Sequence, residues 1–559
     1  FIALAASLVR RTAKARVLSE TTFQVSPLCG YHIRGMNIDL PVAIVGGGPC
    51  GMMTALLLAR AGVPSAVFEK KPGTSAHPKA MGLSRRTGEI LRQNGLLERI
   101  YGGSLSVERR WLGIWAKSLV GEEFGRVPIT AHHSELTPCQ PIHCPQTWTE
   151  KVLLEALNQE PVASVRFNSE VVSIESGEEG VRLMLSDGAT VWARWVVGAD
   201  GAGSAIRNNL GIETEGPGNM GHFINVMFRA SYGQYLHDRL AILYQALSEE
   251  YFEVFVAVNG DDLWLMHHFL QPGEKPEDYS KERFEEIIRH VSGLSEEPVE
   301  VVSMRPWVMS PKVAMRFRLG RVLLVGDAAA RLSPAGGLGL NTGLQSAHNL
   351  AWKLAAVVRG EAGELLLDSY ETERHGAALQ TMENTNENAG EVFVIVEAGL
   401  RGEWDRVREL VAHNRRAGAG LGQDLGIVYE RGAFVSDGTM PPKVADRIND
   451  YVPSACPGSR APHIWILRNE GTRSILDLFE GTMVLLAGRN GTVWPAPPNG
   501  SLLRNQADFF CEEFETVYGI GDSGSVLVRP DGYVGARFRT APDDPEGAMH
   551  EALYAILSQ

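Results

Sequence analysis

The stretch PVAIVGGGPCGMMTALLLARAGVPSAVFEKK constrains this chain more than any other. A short apolar strand from Val42 to Val45 runs into Gly46, Gly48 and Gly51 at G-x-G-x-x-G spacing, and a helix follows. Each glycine has its own reason. Gly46 permits the tight turn, Gly48 lets backbone N–H groups approach a pyrophosphate, and Gly51 lets the helix pack on the strand, so that phosphates meet the positive helix end. A second strand, Ser65 to Phe68, ends at Glu69, where an acid accepts hydrogen bonds from an adenosine ribose. The pattern predicts a dinucleotide-binding βαβ unit, with a plain surface turn as the alternative. It does not choose between NAD and FAD.

At 559 residues the chain exceeds one ordinary core and suggests roughly three to four domains. No apolar run is long enough to span a bilayer. A net charge of -13 with Lys and Arg only in short patches argues against a nucleic-acid partner and for a small-molecule site. Six cysteines without CxxC, and no His cluster at zinc spacing, predict reduced thiols and no metal site. Residues 1–35 stand apart, with Arg10, Arg11, Lys14, Arg16 and Arg34 against the single acid Glu20. They read either as a transit peptide or as an upstream translated or vector-derived extension before Met36. The expected location is cytoplasmic, or mitochondrial if the extension is a transit peptide.

Two more glycine-bearing segments follow apolar strands. WARWVVGADGAGSAIRNNLG sets Asp200, Gly201, Ser204 and Arg207 after a strand at Trp195 to Val197. GDAAARLSPAGGLGLNTGLQSAHNLAWKL sets Gly326 and Asp327 after a strand at Arg321 to Val325, then crowds glycines before a helix starting near Asn341. In this order the three segments resemble the motifs of the single-component FAD-dependent aromatic hydroxylases, similar to para-hydroxybenzoate hydroxylase and phenol hydroxylase. The resemblance covers nearly everything from Met36 onwards. It implies a noncovalent FAD, with Asp327 on the ribityl chain and Pro334 to Gly339 passing along the isoalloxazine ring. Gly337, Gly339, Leu340 and Asn341 then present backbone to the pyrimidine edge. AHPKAMGLSRRTGEILRQNGL places Lys79 where an arginine commonly meets FAD phosphate, and PIHCPQTWTEKVLLEAL places Gln146 near the flavin. The chain departs from the family at Ala330, where many members have His, and at Ser346, where many have Asp.

From about Gly216 to Glu300 the pattern turns to successive strands, FINVMFRA, AILYQAL, YFEVFVAV and LWLMHHF, which predict an antiparallel sheet. The resemblance makes this sheet the substrate layer, with Asn225, Met227, Tyr244 and Trp307 as contacts. Tyr244 and His267 are the candidates for a chemical role. Alternation puts His267 and His268 on opposite faces. In ELLLDSYETERHGAALQ, Glu373 and Arg374 read as a structural charge pair. CPGSRAPHIWIL, ILDLFEGTMVLLAG and GSVLVRPDGYVGARF resemble the thioredoxin-like C-terminal domain of the phenol hydroxylase branch, without its redox cysteines.

The expected architecture is therefore α/β: an FAD-binding domain over 36–215 and 301–400, an inserted β-sheet domain over 216–300, a helical linker over 401–455 and a thioredoxin-like domain over 456–559. The implied activity is hydroxylation of a phenolic or polyketide-like aromatic ring with NADPH or NADH and O2 through a C4a-hydroperoxyflavin. Rival readings are a Baeyer-Villiger oxygenase, a halogenase or a reductase of the same superfamily, and a flavin-binding protein without turnover. The halogenase Trp-x-Trp-x-Ile-Pro signature is absent. A homodimer stays open.

Overall fold

The computed structural model describes residues 31–33, 36–105, 111–128, 133–414, 420–469 and 471–558. Apart from 31–33, the basic N-terminal extension lies outside them. The first glycine segment folds as its pattern requires: strand Leu40–Val45 is buried throughout, and helix Pro49–Arg60 begins with Pro49 in its first turn. Proline is tolerated there because that N–H has no partner inside the helix. Leu40–Val45 pairs in parallel with Ser65–Phe68 on one side and Thr190–Gly198 on the other. Thr190–Gly198 pairs in parallel with Val322–Leu324, and Ser65–Phe68 with Ala163–Arg166. Sequence neighbours Val171–Ser176 and Val181–Leu185 complete an antiparallel wing. Helix Gly339–Val358 covers this sheet alongside Pro49–Arg60, and its buried residues merge with the strands into one core.

A second sheet has seven strands, in the spatial order Glu300–Met309, Gly221–Arg229, Leu263–Phe269, Phe252–Ala257, Ala241–Leu247, Trp111–Ala116 and Glu123–Pro128. Its three outer members come from beyond the 216–300 segment. Ala241–Leu247 joins Trp111–Ala116 in parallel, which a local strand pattern does not reveal. Helix Lys281–Ser292 packs on one face through Phe284, Ile288 and Val291.

In the C-terminal part, Val484–Ala487 pairs in parallel with Ser501–Arg504 and antiparallel with Ser525–Val528, which in turn pairs with Val534–Phe538. Helix Pro545–Leu557 follows. This order and these directions are those of a thioredoxin-type sheet. Cys511 is a free thiol whose pKa burial pushes up, the reverse of a redox-active thiolate. Among the described residues no helix is long and apolar enough to cross a membrane.

The long helix Leu366–Leu400 carries the contacts that fix the C-terminal part. Glu373 and Arg374 do not pair with each other, because neighbours on a helix point about 100° apart. Glu373 accepts from Arg529 Nη1 at 2.7 Å and from Lys353 Nζ at 2.7 Å, and Arg529 also holds Asp531 in the turn before Val534. A second buried group joins Glu89 to Arg460 at 2.5 Å and Arg86 at 2.9 Å, with Thr137 donating to the same carboxylate. Breaking a buried pair leaves an uncompensated charge in a poorly solvating interior.

The Glu89 carboxyl provides a test. Burial alone would raise its pKa, but Arg460 and Arg86 outweigh that and hold it at about 2, against an ordinary 4.5. Its folded pKa lies below its unfolded one, so its contribution is present above about 4.5 and is lost as pH falls towards 2. Glu89→Gln should flatten that acid limb and lower stability at neutral pH by about 3–5 kcal/mol. Urea unfolding across the pH range measures both, and equal curves for parent and variant would contradict the assignment.

Candidate functional site

Three loops meet where Leu40–Val45, Thr190–Gly198 and Val322–Leu324 end. Gly46 has φ +110°, and a Cβ there would strike the backbone of Ala199 and Asp200. A Cβ on Gly51 would overlap the Gly46 carbonyl oxygen. A Cβ on Gly48, the N-cap, meets no atom within 4 Å. The three glycines thus have three reasons: a left-handed turn, an open approach to the helix end, and close packing. Glu69 stands at the mouth of the turn, accepting from the Gly47 N–H at 2.7 Å and from the Lys71 N–H at 2.9 Å.

The second loop organises itself. Asp200 accepts from Ser204 Oγ at 2.5 Å and from the Ile206 N–H at 3.1 Å, while Ser204 Oγ accepts from the Arg207 N–H. Gly201, at φ +84°, has open space where a Cβ would be. Arg207 ties this loop to the third, donating to Ala202 O at 3.0 Å and Ala328 O at 3.1 Å. In the third loop Gly326 takes φ +65° and packs on Cys50, and Asp327 follows with an exposed side chain. That exposure is to a cleft walled by protein: burial raises the Asp327 pKa, against the opposing fields of Lys79 and Arg331. Lys79, itself exposed, lies close enough for its charge to act on Asp327.

Pro334 and Gly337 close a turn through the Gly337 N–H to Pro334 O bond, both exposed. Helix Gly339–Val358 then begins, and its first N–H groups at Gly339, Leu340 and Asn341 have no carbonyl one turn back to bond. A Cβ on Gly337 or Gly339 meets nothing within 4 Å. The Asn341 side chain is occupied: its amide donates to Gly337 O at 2.8 Å and Gly82 O at 3.1 Å and accepts from the Ser84 N–H at 2.8 Å. Gln146 is also engaged, donating to Glu150 Oε1 at 2.7 Å. An open Gly48 at a helix start, an acid with a lysine near it, and a bare glycine loop before a second helix start fit an extended dinucleotide.

One face of the seven-stranded sheet carries most of the other predicted residues. Phe223, Asn225 and Met227 lie opposite Phe269, His267 and Leu265 on one side and opposite Trp307, Arg305 and Ser303 on the other. Trp307 stacks on Phe223 at 4.6 Å between ring centres, so this end is aromatic. Met227, Leu265 and Val256 make the other end apolar, with Met81 packed against them. Between the two ends the face is polar. His77 Nδ1 lies 2.7 Å from Ser303 Oγ. Its Nε2, Asn225 Oδ1, His267 Nδ1 and Trp307 Nε1 are buried and have no partner in hydrogen-bond geometry among the described residues. The Asn225 amide nonetheless lies close enough to favour a protonated His77; burial, Arg305 and Lys79 oppose this and leave its pKa lowered. Burial likewise takes His267 down to about 4, helped by His77.

Tyr244 is not part of this face. It lies on the opposite side of the sheet, 2% exposed, and its hydroxyl donates to Arg239 O and accepts from the Ala241 N–H, both at 2.9 Å. His268 also faces away, 2.6 Å from Glu253. The residues that sequence reasoning missed are His77, Ser303 and Arg305. Ser303 and Arg305 were detectable, since they alternate with Trp307 along one strand. His77 sits in a loop with no period to announce it.

Residues 39–385 match the FAD binding domain family, and residues 454–559 match the aromatic-ring hydroxylase C-terminal family. The chain belongs to the FAD-dependent aromatic-ring hydroxylases. It is 32% identical to the tetracenomycin A2 monooxygenase-dioxygenase of Streptomyces glaucescens, over 93% of this chain and 97% of that one. It is 32% identical to the 4-methyl-5-nitrocatechol 5-monooxygenase of a Burkholderia species, over 93% and 98%. A ternary complex of aklavinone-11 hydroxylase with FAD and aklavinone superposes with a TM-score of 0.83 at 30% identity, covering 94% of this chain and all of that one. This hydroxylase binds FAD.

The contrast between two glycines is testable. Gly48→Val should abolish FAD occupancy, read from flavin absorbance, with little change in the unfolding midpoint, because the added atoms enter open space. Gly51→Val should destabilise the fold itself, because its Cβ has no room. Full occupancy in Gly48→Val would mean that the pyrophosphate does not lie at this helix end.

Proposed function

We propose that this hydroxylase inserts one oxygen atom into a phenolic ring of a planar, polyketide-like aromatic, using NADPH or NADH and O2. In balance, substrate C–H, NAD(P)H, a proton and O2 give C–OH, NAD(P)+ and water. The observation that carries this reading is the banded sheet face: aromatic at Phe223 and Trp307, polar at Asn225 and His267, apolar at Met227 and Leu265. A fused-ring phenol matches that sequence of surfaces. Relatives acting on tetracenomycin-type and nitrocatechol substrates favour the same class.

FAD would be held by the open backbone at Gly48, by Glu69 at the ribose, by Lys79 and Asp327, and by the turn from Pro334 to the first residues of Gly339–Val358. The chemistry that bound FAD supplies is two-electron reduction by a nicotinamide and activation of O2. The protein's own part is arrangement. The helix start at Gly339 stabilises negative charge. Met81, Met227, Leu265 and Val256 exclude water and seat an apolar ring end. Asn225, Trp307 and Arg305 orient the polar edge.

His77 holds the proton. In the tautomer that donates Nδ1–H to Ser303 Oγ, the Nε2 lone pair is left to accept the proton of a substrate hydroxyl and enrich the ring with electrons. A base must be neutral to act, so turnover should fall as pH drops below the lowered His77 pKa, that is, on a limb below the ordinary 6.5. His77→Gln should cut phenol-dependent kcat/KM by about 10²-fold and remove that limb, with FAD occupancy intact. The assay is phenol-stimulated NAD(P)H oxidation, with mass analysis of product made under isotopically labelled O2. Oxidation without label in any phenol or polyketide tested would defeat the functional reading; an unchanged acid limb in His77→Gln would defeat only the role of His77.

A further inference from the structure

The buried charges under the C-terminal part do not balance. Six cations lie buried there, Arg85, Arg86, Lys353, Arg374, Arg460 and Arg529, against four carboxylates, Glu89, Glu373, Asp424 and Asp531. Arg85 has Asp424, Arg86 and Arg460 share Glu89, and Lys353 and Arg529 share Glu373 and Asp531. That leaves two positive charges in excess among these ten groups. Arg374 is the cation without a carboxylate: its nitrogens reach only Ser346 Oγ at 3.1 Å, Tyr429 Oη at 3.1 Å and Thr342 O at 3.3 Å. It is 1% exposed. Neutral oxygens satisfy its hydrogen bonds and leave its charge uncompensated in an interior where that is costly.

Beside it lies a small cavity lined by Arg86, Gln345, His348, Asn349, Arg374 and Asp531, with Tyr429 and Tyr533. Such a space holds one body of about water's size. His348 reports the local field. Burial first, then Arg86, Arg529 and Arg374, drive its pKa down to about 3, although Asp531 pulls the other way. Two guanidinium groups, the Asp531 carboxylate and a neutral imidazole thus border a small chamber walled also by Tyr429 and Tyr533, with one positive charge in surplus.

We propose that this chamber is a site for a small monovalent anion, chloride, held between Arg86 and Arg374 and supplying the negative charge that the buried network lacks. So small a chamber suits a single-atom ion better than a polyatomic oxyanion. The anion would lock the helices Gly339–Val358 and Leu366–Leu400 to the Asp531 turn, and no residue lining its chamber belongs to the sheet face. It therefore stands or falls independently of the oxygenase reading.

The test uses the full chain with FAD bound. Thermal unfolding is followed as chloride replaces gluconate at constant ionic strength, which holds general screening fixed. The midpoint should rise saturably with chloride or bromide and not with sulfate. Crystals grown in bromide should show an anomalous peak in the chamber. Ser346→Asp places a carboxylate beside Arg374 and should abolish the halide response and the peak. The bromide measurement needs only the parent, so the proposal is testable whether or not that variant folds. A midpoint indifferent to halide, an anomalous map empty at this position, or a full halide response in Ser346→Asp would each overturn it.

Discussion

The close approach of three backbone turns at the carboxyl ends of adjacent parallel strands governs everything else in this molecule. Gly46 sits against Ala199, and Gly326 sits against Cys50, with Gly343 in turn packed on Gly326. Side chains at those positions would push the strand ends apart. The parallel pairing of Leu40–Val45, Thr190–Gly198 and Val322–Leu324 delivers all three turns to the same edge, as ligand sites at the ends of parallel strands require. Arg207 then bonds two of the turns to each other through backbone oxygens. These contacts are protein to protein, so the chain itself shapes the cradle.

The C-terminal part is attached on a different principle. Its turn residue Asp531 reaches Arg529 and the Asn349 amide, so a charged tip is inserted between two helices of the FAD-binding part. Buried ion pairs are weak sources of net stability, since desolvation consumes most of the attraction. They are strong sources of register: an apolar tip slides, whereas Arg529 meets Glu373 and Asp531 in only one orientation. The arrangement fixes where the domain sits more than how tightly it is held.

Sequence reasoning succeeded where a backbone requirement left a residue type behind. Gly46, Gly48 and Gly51 were separable by role from spacing alone, and alternation found the strands carrying Asn225, Met227 and His267. It failed where the answer depended on distant chain. Alternation says that Tyr244 and Gln245 face opposite ways, but only the pairing of Tyr244 with Phe255 and Gln245 with Val254 tells which face holds Asn225. The strands Trp111–Ala116 and Glu123–Pro128 are short and join their sheet through a parallel neighbour more than a hundred residues on. Glu373 and Arg374 looked like a pair because they are adjacent, yet helix geometry sends them to different partners. That Asp531, within the Pro-Asp-Gly stretch, is a buried plug was not legible.

Asn341 joins the glycine loop to the segment that packs against the sheet face. Its amide bonds Gly337 in the glycine loop and both Gly82 and Ser84 in the segment that also carries His77, Lys79 and Met81. Lys79 meets the field of Asp327 on one side of that segment, while Met81 packs on Met227 and Leu265 on the other. One short stretch of chain therefore touches the cofactor cleft and the sheet face at once, clamped by one buried amide. A flavin along the glycine loop and a ring on the sheet face would then be spaced by the Asn341 hydrogen bonds on one side of the segment and by the His77–Ser303 contact and Met81 packing on the other. For oxygen transfer between two bound rings, that separation is the quantity that must not drift.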